Sequence, residues 1–274
     1  MSTFKEVYQC IPALIRYQAT KICNLTLGVR SPDMFTTIDV GFDDWCNRRC
    51  TYCPVFSNPD RHGPNGDILP QASWERLLEG LQAIKFSGSL KPVHFNEPLL
   101  RAETVLFPRL EQARKALPDC RLMLYTNGDL LLQHLDRVTD LQLAVVLGIH
   151  DPVNPKVLEF IESGEAQRRI ACLEIKDMRV NKLYNRASNI PLERIWFPQR
   201  CPNYSWSQST LVINPKGDVV TCIQDHSAEE VWGNIGQENI MDIWNQREFW
   251  EFRERRRLNN TEGMFSICHA CLGK

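Results

Sequence analysis

The chain has 274 residues, 43% apolar and 24% charged, with a formal net charge of −1. That length suits one large α/β unit or a partial barrel with an appendage, and the composition excludes a disordered chain. The near-neutral balance argues against a nucleic-acid surface, which needs excess Lys and Arg, and no apolar run reaches the roughly 18 residues of a membrane span. The opening residues lack a basic segment followed by an apolar core, so no signal peptide is expected and the protein reads as cytoplasmic. In that reducing compartment, eleven cysteines point to metal or catalysis rather than to disulfides.

Residues 1–35 read as an N-terminal extension with no evident task; Ile11, Leu14 and Ile15 suit a short amphipathic helix, and Cys10 and Cys23 suit packing. A β-rich run over 36–42 then leads into Cys46-Asn47-Arg48-Arg49-Cys50-Thr51-Tyr52-Cys53. Four thiolates complete a [4Fe–4S] cluster, whereas three leave one iron open to a non-protein ligand. A zinc knuckle is the alternative, but structural zinc takes four protein ligands.

A polar, turn-rich segment over 57–67 belongs on the surface. Ser73 is expected to cap a helix carrying Leu77, Leu78, Leu81 and Ile84. The pattern then alternates: strand 92–95, helix 103–117, strand 121–125, helix 130–139, strand 143–147, helix 155–163, strand 170–175. Such alternation gives parallel strands with right-handed crossovers and chemistry at their C-terminal ends. Five or six strands are too few to close an eight-stranded barrel, so residues 36–177 are expected to form an open, partial (β/α)6-type barrel.

Two strand ends draw notice. Glu97, after the second strand, can accept hydrogen bonds from an ammonium group or simply cap the next helix. Thr126-Asn127-Gly128-Asp129 makes a tight turn after the third. Beyond about residue 177 the alternation fades. Residues 210–214 and 218–222 flank Pro215-Lys216-Gly217 as a β-hairpin, a helix covers about 239–258, and its run Arg253-Glu254-Arg255-Arg256-Arg257 reads as a solvated face. Cys201, Cys222, Cys268 and Cys271 make four thiols, a closed shell for a second [4Fe–4S] cluster or for zinc.

The C-x3-C-x2-C spacing with Tyr52 before the last cysteine resembles the cluster loop of the radical S-adenosylmethionine (SAM) superfamily. The resemblance implies that the methionyl group of SAM chelates the open iron and that cleavage yields a 5′-deoxyadenosyl radical. It assigns Cys46, Cys50 and Cys53 to the first cluster. Tyr52, Asn96, Glu97, Thr126, Asn127 and His150 fall to the cofactor. Asn96 stands where the family's Gly-Glu-Pro motif has its first Gly, and Asn tolerates positive φ less well than Gly. The C-terminal layout resembles the shortened SPASM, or twitch, auxiliary-cluster domain, which implies a 178–274 linker and module holding the second cluster on Cys201, Cys222, Cys268 and Cys271.

Within the family the chain resembles members that dehydrogenate an aminocyclitol. That implies oxidation of a secondary alcohol to a ketone, with the auxiliary cluster accepting an electron and a partner such as flavodoxin or ferredoxin supplying one. In those enzymes an arginine matching Arg186 meets the substrate, and an acidic residue stands where this chain has Gln224, with Asp225 next. Arg186 is expected to orient the hydroxyl and Asp225 to act as base. The alternatives are an epimerase, with Cys172 or Cys120 returning hydrogen, a peptide-modifying enzyme, or a non-catalytic electron carrier. The expected substrate is thus a small molecule or peptide, with no nucleic acid and no membrane.

Overall fold

The computed structural model describes residues 34–54, 62–180, 208–258, 260 and 262–272. The expected N-terminal extension, Arg186 and Cys201 lie outside the described residues, apart from residues 34 and 35.

Eight strands form one sheet in the order β5-β4-β3-β2-β1-β6-β7-β8. They are β1 (Thr37–Val40), β2 (Ser89–Lys91), β3 (Arg121–Thr126), β4 (Ala144–Ile149), β5 (Leu173–Asp177), β6 (Thr210–Ile213), β7 (Asp218–Val220) and β8 (Val231–Asn234). The first six in that order run parallel, and β7 and β8 add antiparallel. The α/β partial barrel is therefore as expected, but its sixth strand comes from the hairpin. β6 pairs with β1 from Thr37↔Thr210 to Val40↔Ile213, so barrel and hairpin share one ladder.

Alternation along the strands sorts the two faces. Ile38, Val40, Leu90, Leu122, Leu124, Val145, Leu147, Leu211 and Ile213 join the main core with the helices. Met123, Ala144 and Val146, with Tyr125 and Cys172, form a separate cluster on the opposite face. Helix α1 (Gln71–Ala83) buries Trp74, Leu77, Leu78 and Leu81. Its N-cap is Pro70, not Ser73; Ser73 is buried inside the first turn, with its hydroxyl where a Cβ on Gly236 would intrude at 2.6 Å.

Several boundaries moved for local reasons. The strand expected over 92–95 is β2, ending at Lys91, because Pro92 has no N–H to give the ladder. The helix over 103–117 opens as a π-helical turn, Ala102–Leu106, before α2 (Phe107–Ala116). The segment over 130–139 is a 3₁₀ turn, Leu131–Gln133, followed by α3 (Leu135–Asp140). Helices α4 (Pro155–Glu162) and α5 (Glu165–Arg169) lead into β5.

The predicted helix over 239–258 is two, α6 (Ile240–Asn245) and α7 (Arg247–Arg257), broken where Gln246 is extended at φ −58° and ψ 142°. Its arginine run is not a solvated face. Phe249, Phe252, Arg253 and Arg256 fall at i, i+3, i+4 and i+7 and are all buried. The Arg253 guanidinium lies 3.7 Å from the Trp244 ring centroid and 4.5 Å from that of Phe249. Helix α8 (Ser266–Leu272) carries the last two cysteines. Among the described residues no helix is long and apolar enough to cross a membrane.

The hairpin turn packs on the end of β1. A Cβ on Gly41 would lie 2.8 Å from both His94 Cβ and Pro215 Cδ, so only glycine lets the chain pass there.

Candidate active site

The loop after β1 presents Cys46, Cys50 and Cys53 as half-buried thiols. It is held by Cys53 N–H to Cys50 O (2.9 Å) and Cys46 N–H to His62 O (3.2 Å). Burial pushes the Cys46 thiol up to about 12, against a backbone hydrogen bond from Arg48; Glu97, Cys53 and Cys50 push the same way as burial. Thiols so placed ionise only beside a strong cation, and iron supplies one. Among the described residues no three His, Cys, Asp or Glu side chains already converge as a metal-binding group. By type, number and spacing, the loop donors fit a cluster with one open iron.

Glu97 follows β2 and is buried. Oε1 accepts from Thr126 Oγ1 (2.9 Å) and Leu99 N–H (3.2 Å), and Oε2 accepts from Asn127 N–H (2.7 Å). Its own N–H donates to Trp45 O at 2.8 Å. Burial pushes the carboxyl up to about 7 despite those donors. It thus caps the 3₁₀ turn Pro98–Arg101 and also stands as a cation acceptor beside the cysteine loop. Asn96 is not at positive φ; Phe95, one residue earlier, carries the left-handed conformation at φ 59°. Asn96 Oδ1 accepts from His94 N–H at 3.0 Å and so pins that turn.

Thr126 ends β3, Asn127 follows it, and Gly128 turns the chain at φ 84°. Arg48 forks onto Asp129 from the cysteine loop, a link the sequence reading did not pick out. Tyr52 OH hydrogen-bonds His150 Nδ1, the two rings stack at 5.9 Å, and Cys50 Sγ lies 3.8 Å from the same nitrogen. Burial, reinforced by the Arg48 charge, lowers the His150 pKa. His150 can lie there because a Cβ on Gly148 would sit 2.5 Å from its Nε2.

The barrel face opposite the helices is charged. Lys91 Nζ lies 3.3 Å from Asp39 Oδ1, Lys176 Nζ lies 3.5 Å from Glu174 Oε1, and both lysines approach the Tyr125 ring, at 5.7 and 5.5 Å. Alternation alone could have flagged these polar positions inside apolar strands.

In the C-terminal part, Cys222 and Cys268 are buried and Cys271 is half-buried. Asp225 is buried and accepts from Glu229 N–H (2.9 Å) and Glu230 N–H (3.2 Å), so its carboxylate holds its own loop. Gln224 beside it is buried. His226, absent from the sequence reading, reaches His62 across 164 positions. No spacing signal connects residues that far apart. Cys172 lies on the barrel face opposite the main core, packed with Met123, Ala144 and Val146. Cys120 is buried, and burial pushes its thiol up to about 12.

Residues 201–272 match an iron–sulfur cluster-binding domain, SPASM, and residues 42–190, just over half the chain, match the radical SAM superfamily. The chain is similar to the S-adenosyl-L-methionine-dependent 2-deoxy-scyllo-inosamine dehydrogenase of Niallia circulans, 27% identical over 87% of this chain and 93% of that protein. It is also similar to the crystal structure of BtrN in complex with AdoMet and 2-DOIA, at 26% identity and TM-score 0.73, covering 86% of this chain and 92% of that one. Native anSMEcpe with bound AdoMet and Cp18Cys peptide shares the fold, at 13% identity and TM-score 0.55, over 85% of this chain and 87% of that one. With its open three-thiol loop inside the matched span, the chain belongs to the radical SAM superfamily, as an enzyme dependent on S-adenosylmethionine and iron–sulfur clusters.

Proposed function

We propose that the chain oxidises a secondary alcohol of an amino sugar or cyclitol to a ketone. The observation that carries this reading is the likeness to the 2-deoxy-scyllo-inosamine dehydrogenase, which covers 87% of this chain. Cys46, Cys50 and Cys53 hold the first cluster and Glu97 takes the methionyl ammonium. Tyr52, Asn96, Thr126, Asn127 and His150 line the rest of the cofactor. Cys201, Cys222, Cys268 and Cys271 hold the second cluster in a module beginning near residue 178. Bound there, SAM and the clusters supply a 5′-deoxyadenosyl radical and a site for the second electron.

The chain itself positions the substrate and excludes water. Asp39–Lys91 and Glu174–Lys176 give the barrel a polar wall that suits hydroxyls and an amine. Arg186 orients the reacting hydroxyl and Asp225, whose carboxylate also accepts from the Glu229 and Glu230 N–H groups, stands as its base beside Gln224. Gln224 in place of an acid favours a substrate whose nearest group is a neutral hydroxyl rather than an ammonium. A small redox protein of the flavodoxin or ferredoxin type feeds the first cluster from the cytoplasm.

Epimerisation is disfavoured because Cys120 is buried in the helix-side core and the likeness over most of the chain is to a dehydrogenase. The test is anaerobic turnover of 2-deoxy-scyllo-inosamine in heavy water. One 5′-deoxyadenosine per ketone, with no solvent deuterium in the product, is expected. Deuterium at the reacting carbon, or turnover of a peptide instead, sinks the reading.

A further inference from the structure

The residues between the first two loop cysteines are tied to the end of β3 by side chains. Arg48 donates from Nε (2.8 Å) and Nη2 (2.6 Å) to the two carboxylate oxygens of Asp129, and from Nη1 to the Pro152 carbonyl (3.0 Å). Asn47 Nδ2 donates to the same carboxylate at 2.9 Å, and its Oδ1 accepts from Asn127 Nδ2 at 2.9 Å. Asn127 N–H reaches Glu97 Oε2, and Glu97 N–H reaches Trp45 O. Loop positions 45, 47 and 48 are thus each joined to the wall formed by Glu97, Asn127 and Asp129, and the circuit of hydrogen bonds closes.

We propose that Arg48 and Asp129 are positioning residues of the cofactor site: their fork holds the loop bearing Cys46 and Cys50 at a fixed separation from Glu97 before SAM arrives. The fork is two-pronged and largely shielded, with side-chain exposures of 13% and 20%, so solvent screens it little. Left untied, the polar spacer would have to be ordered on each binding event, which weakens binding. Partners that orient first ligands typically change affinity by about 10- to 100-fold when removed. Lysine cannot reproduce the fork, although it keeps the charge. The pair also cancels its own charge beside Cys50, so neutralising either member alone changes the field at the first cluster, with opposite signs.

The inference rests on the first cluster sitting on Cys46, Cys50 and Cys53, and not on which substrate is oxidised. The test compares anaerobically reconstituted wild type with Arg48→Lys, Arg48→Met and Asp129→Asn. The readouts are iron content, the midpoint potential of the first cluster, and the change in its reduced-state EPR spectrum on titration with SAM. Arg48→Lys is expected to keep both clusters and the wild-type potential but to bind SAM about 10- to 100-fold more weakly. Asp129→Asn is expected to raise the potential, because an unneutralised guanidinium stabilises the reduced cluster. Arg48→Met is expected to lower it. Loss of the first cluster's iron alone, with about four irons left in the C-terminal module as an internal check on folding, also supports the inference. Wild-type SAM affinity and spectral change in Arg48→Lys and Asp129→Asn overturn it. So does loss of both clusters in Arg48→Lys, which marks a general structural role. Wild type without a first cluster removes the premise itself and is distinguishable by iron content.

Discussion

His226 Nε2 lies 3.2 Å from His62 Nε2, and that hydrogen bond joins the segment after the first cysteine loop to the segment after Cys222. His62 Nδ1 is 2.9 Å from the Asp44 carbonyl, which can only accept, so His62 carries its proton there. In the neutral ring its Nε2 then accepts, and His226 donates. Both rings are buried. Replacing His226 with Ala is expected to destabilise the protein by about 1–3 kcal/mol, because a buried acceptor is stranded. His226→Gln, which can still donate, should recover most of it. Urea unfolding of the three proteins checks this, and equal midpoints for His226→Ala and wild type would refute the link.

Arg253 is buried on α7 with its Nε and Nη1 hydrogens unpartnered among the described residues, and burial lowers its pKa to about 10. Its stacking on Trp244 and Phe249 offsets that desolvation. Arg253→Met keeps the volume and removes the charge, so its stability should stay within about 1 kcal/mol of wild type. Arg253→Ala also leaves a cavity and should cost about 3 kcal/mol. Thermal unfolding separates the two, and a Met variant as damaged as the Ala variant would show that the charge itself is required.

The Glu97 carboxyl, moved from 4.5 up to about 7, gives a pH signature. Between those values the unfolded chain has released the proton and the folded one retains it, so stability falls as pH rises through the window. The loss should approach about 3 kcal/mol by pH 7. In SAM-free protein, wild type should lose stability relative to Glu97→Gln from pH 5 to pH 7, whatever the constant offset between them. Parallel pH curves would exclude the shift.

Cys222→Ala should lower the iron of reconstituted protein from about eight to about four per chain. If the second electron leaves through that module, 5′-deoxyadenosine should still form while ketone does not. Iron analysis and product chromatography check both halves, and unchanged ketone yield would rule the module out as electron acceptor.

The cysteine loop was legible because iron chemistry dictates ligand type and count within eight consecutive residues, and Glu97 because a carboxylate after a strand is a local pattern. Arg253 was misread as solvated because charge suggests exposure, while the helical stripe shared with Phe249 and Phe252 decided burial. The Arg48–Asp129 fork and the His62–His226 bond were not legible, since each joins residues far apart in the chain; the charged positions facing Tyr125 were legible from strand alternation, but not their convergence on one ring.

By itself the sequence determined the alternation of strands and helices and the two sets of thiols, because periodicity and ligand spacing are local properties. Only the tertiary structure decided that β6 completes the parallel ladder beside β1, and that one buried residue, Glu97, accepts from Thr126 and Asn127 through its carboxylate and donates its backbone N–H to Trp45 O of the cysteine loop. Those outcomes depend on which strands become neighbours, and parallel pairing joins segments that local pattern cannot match.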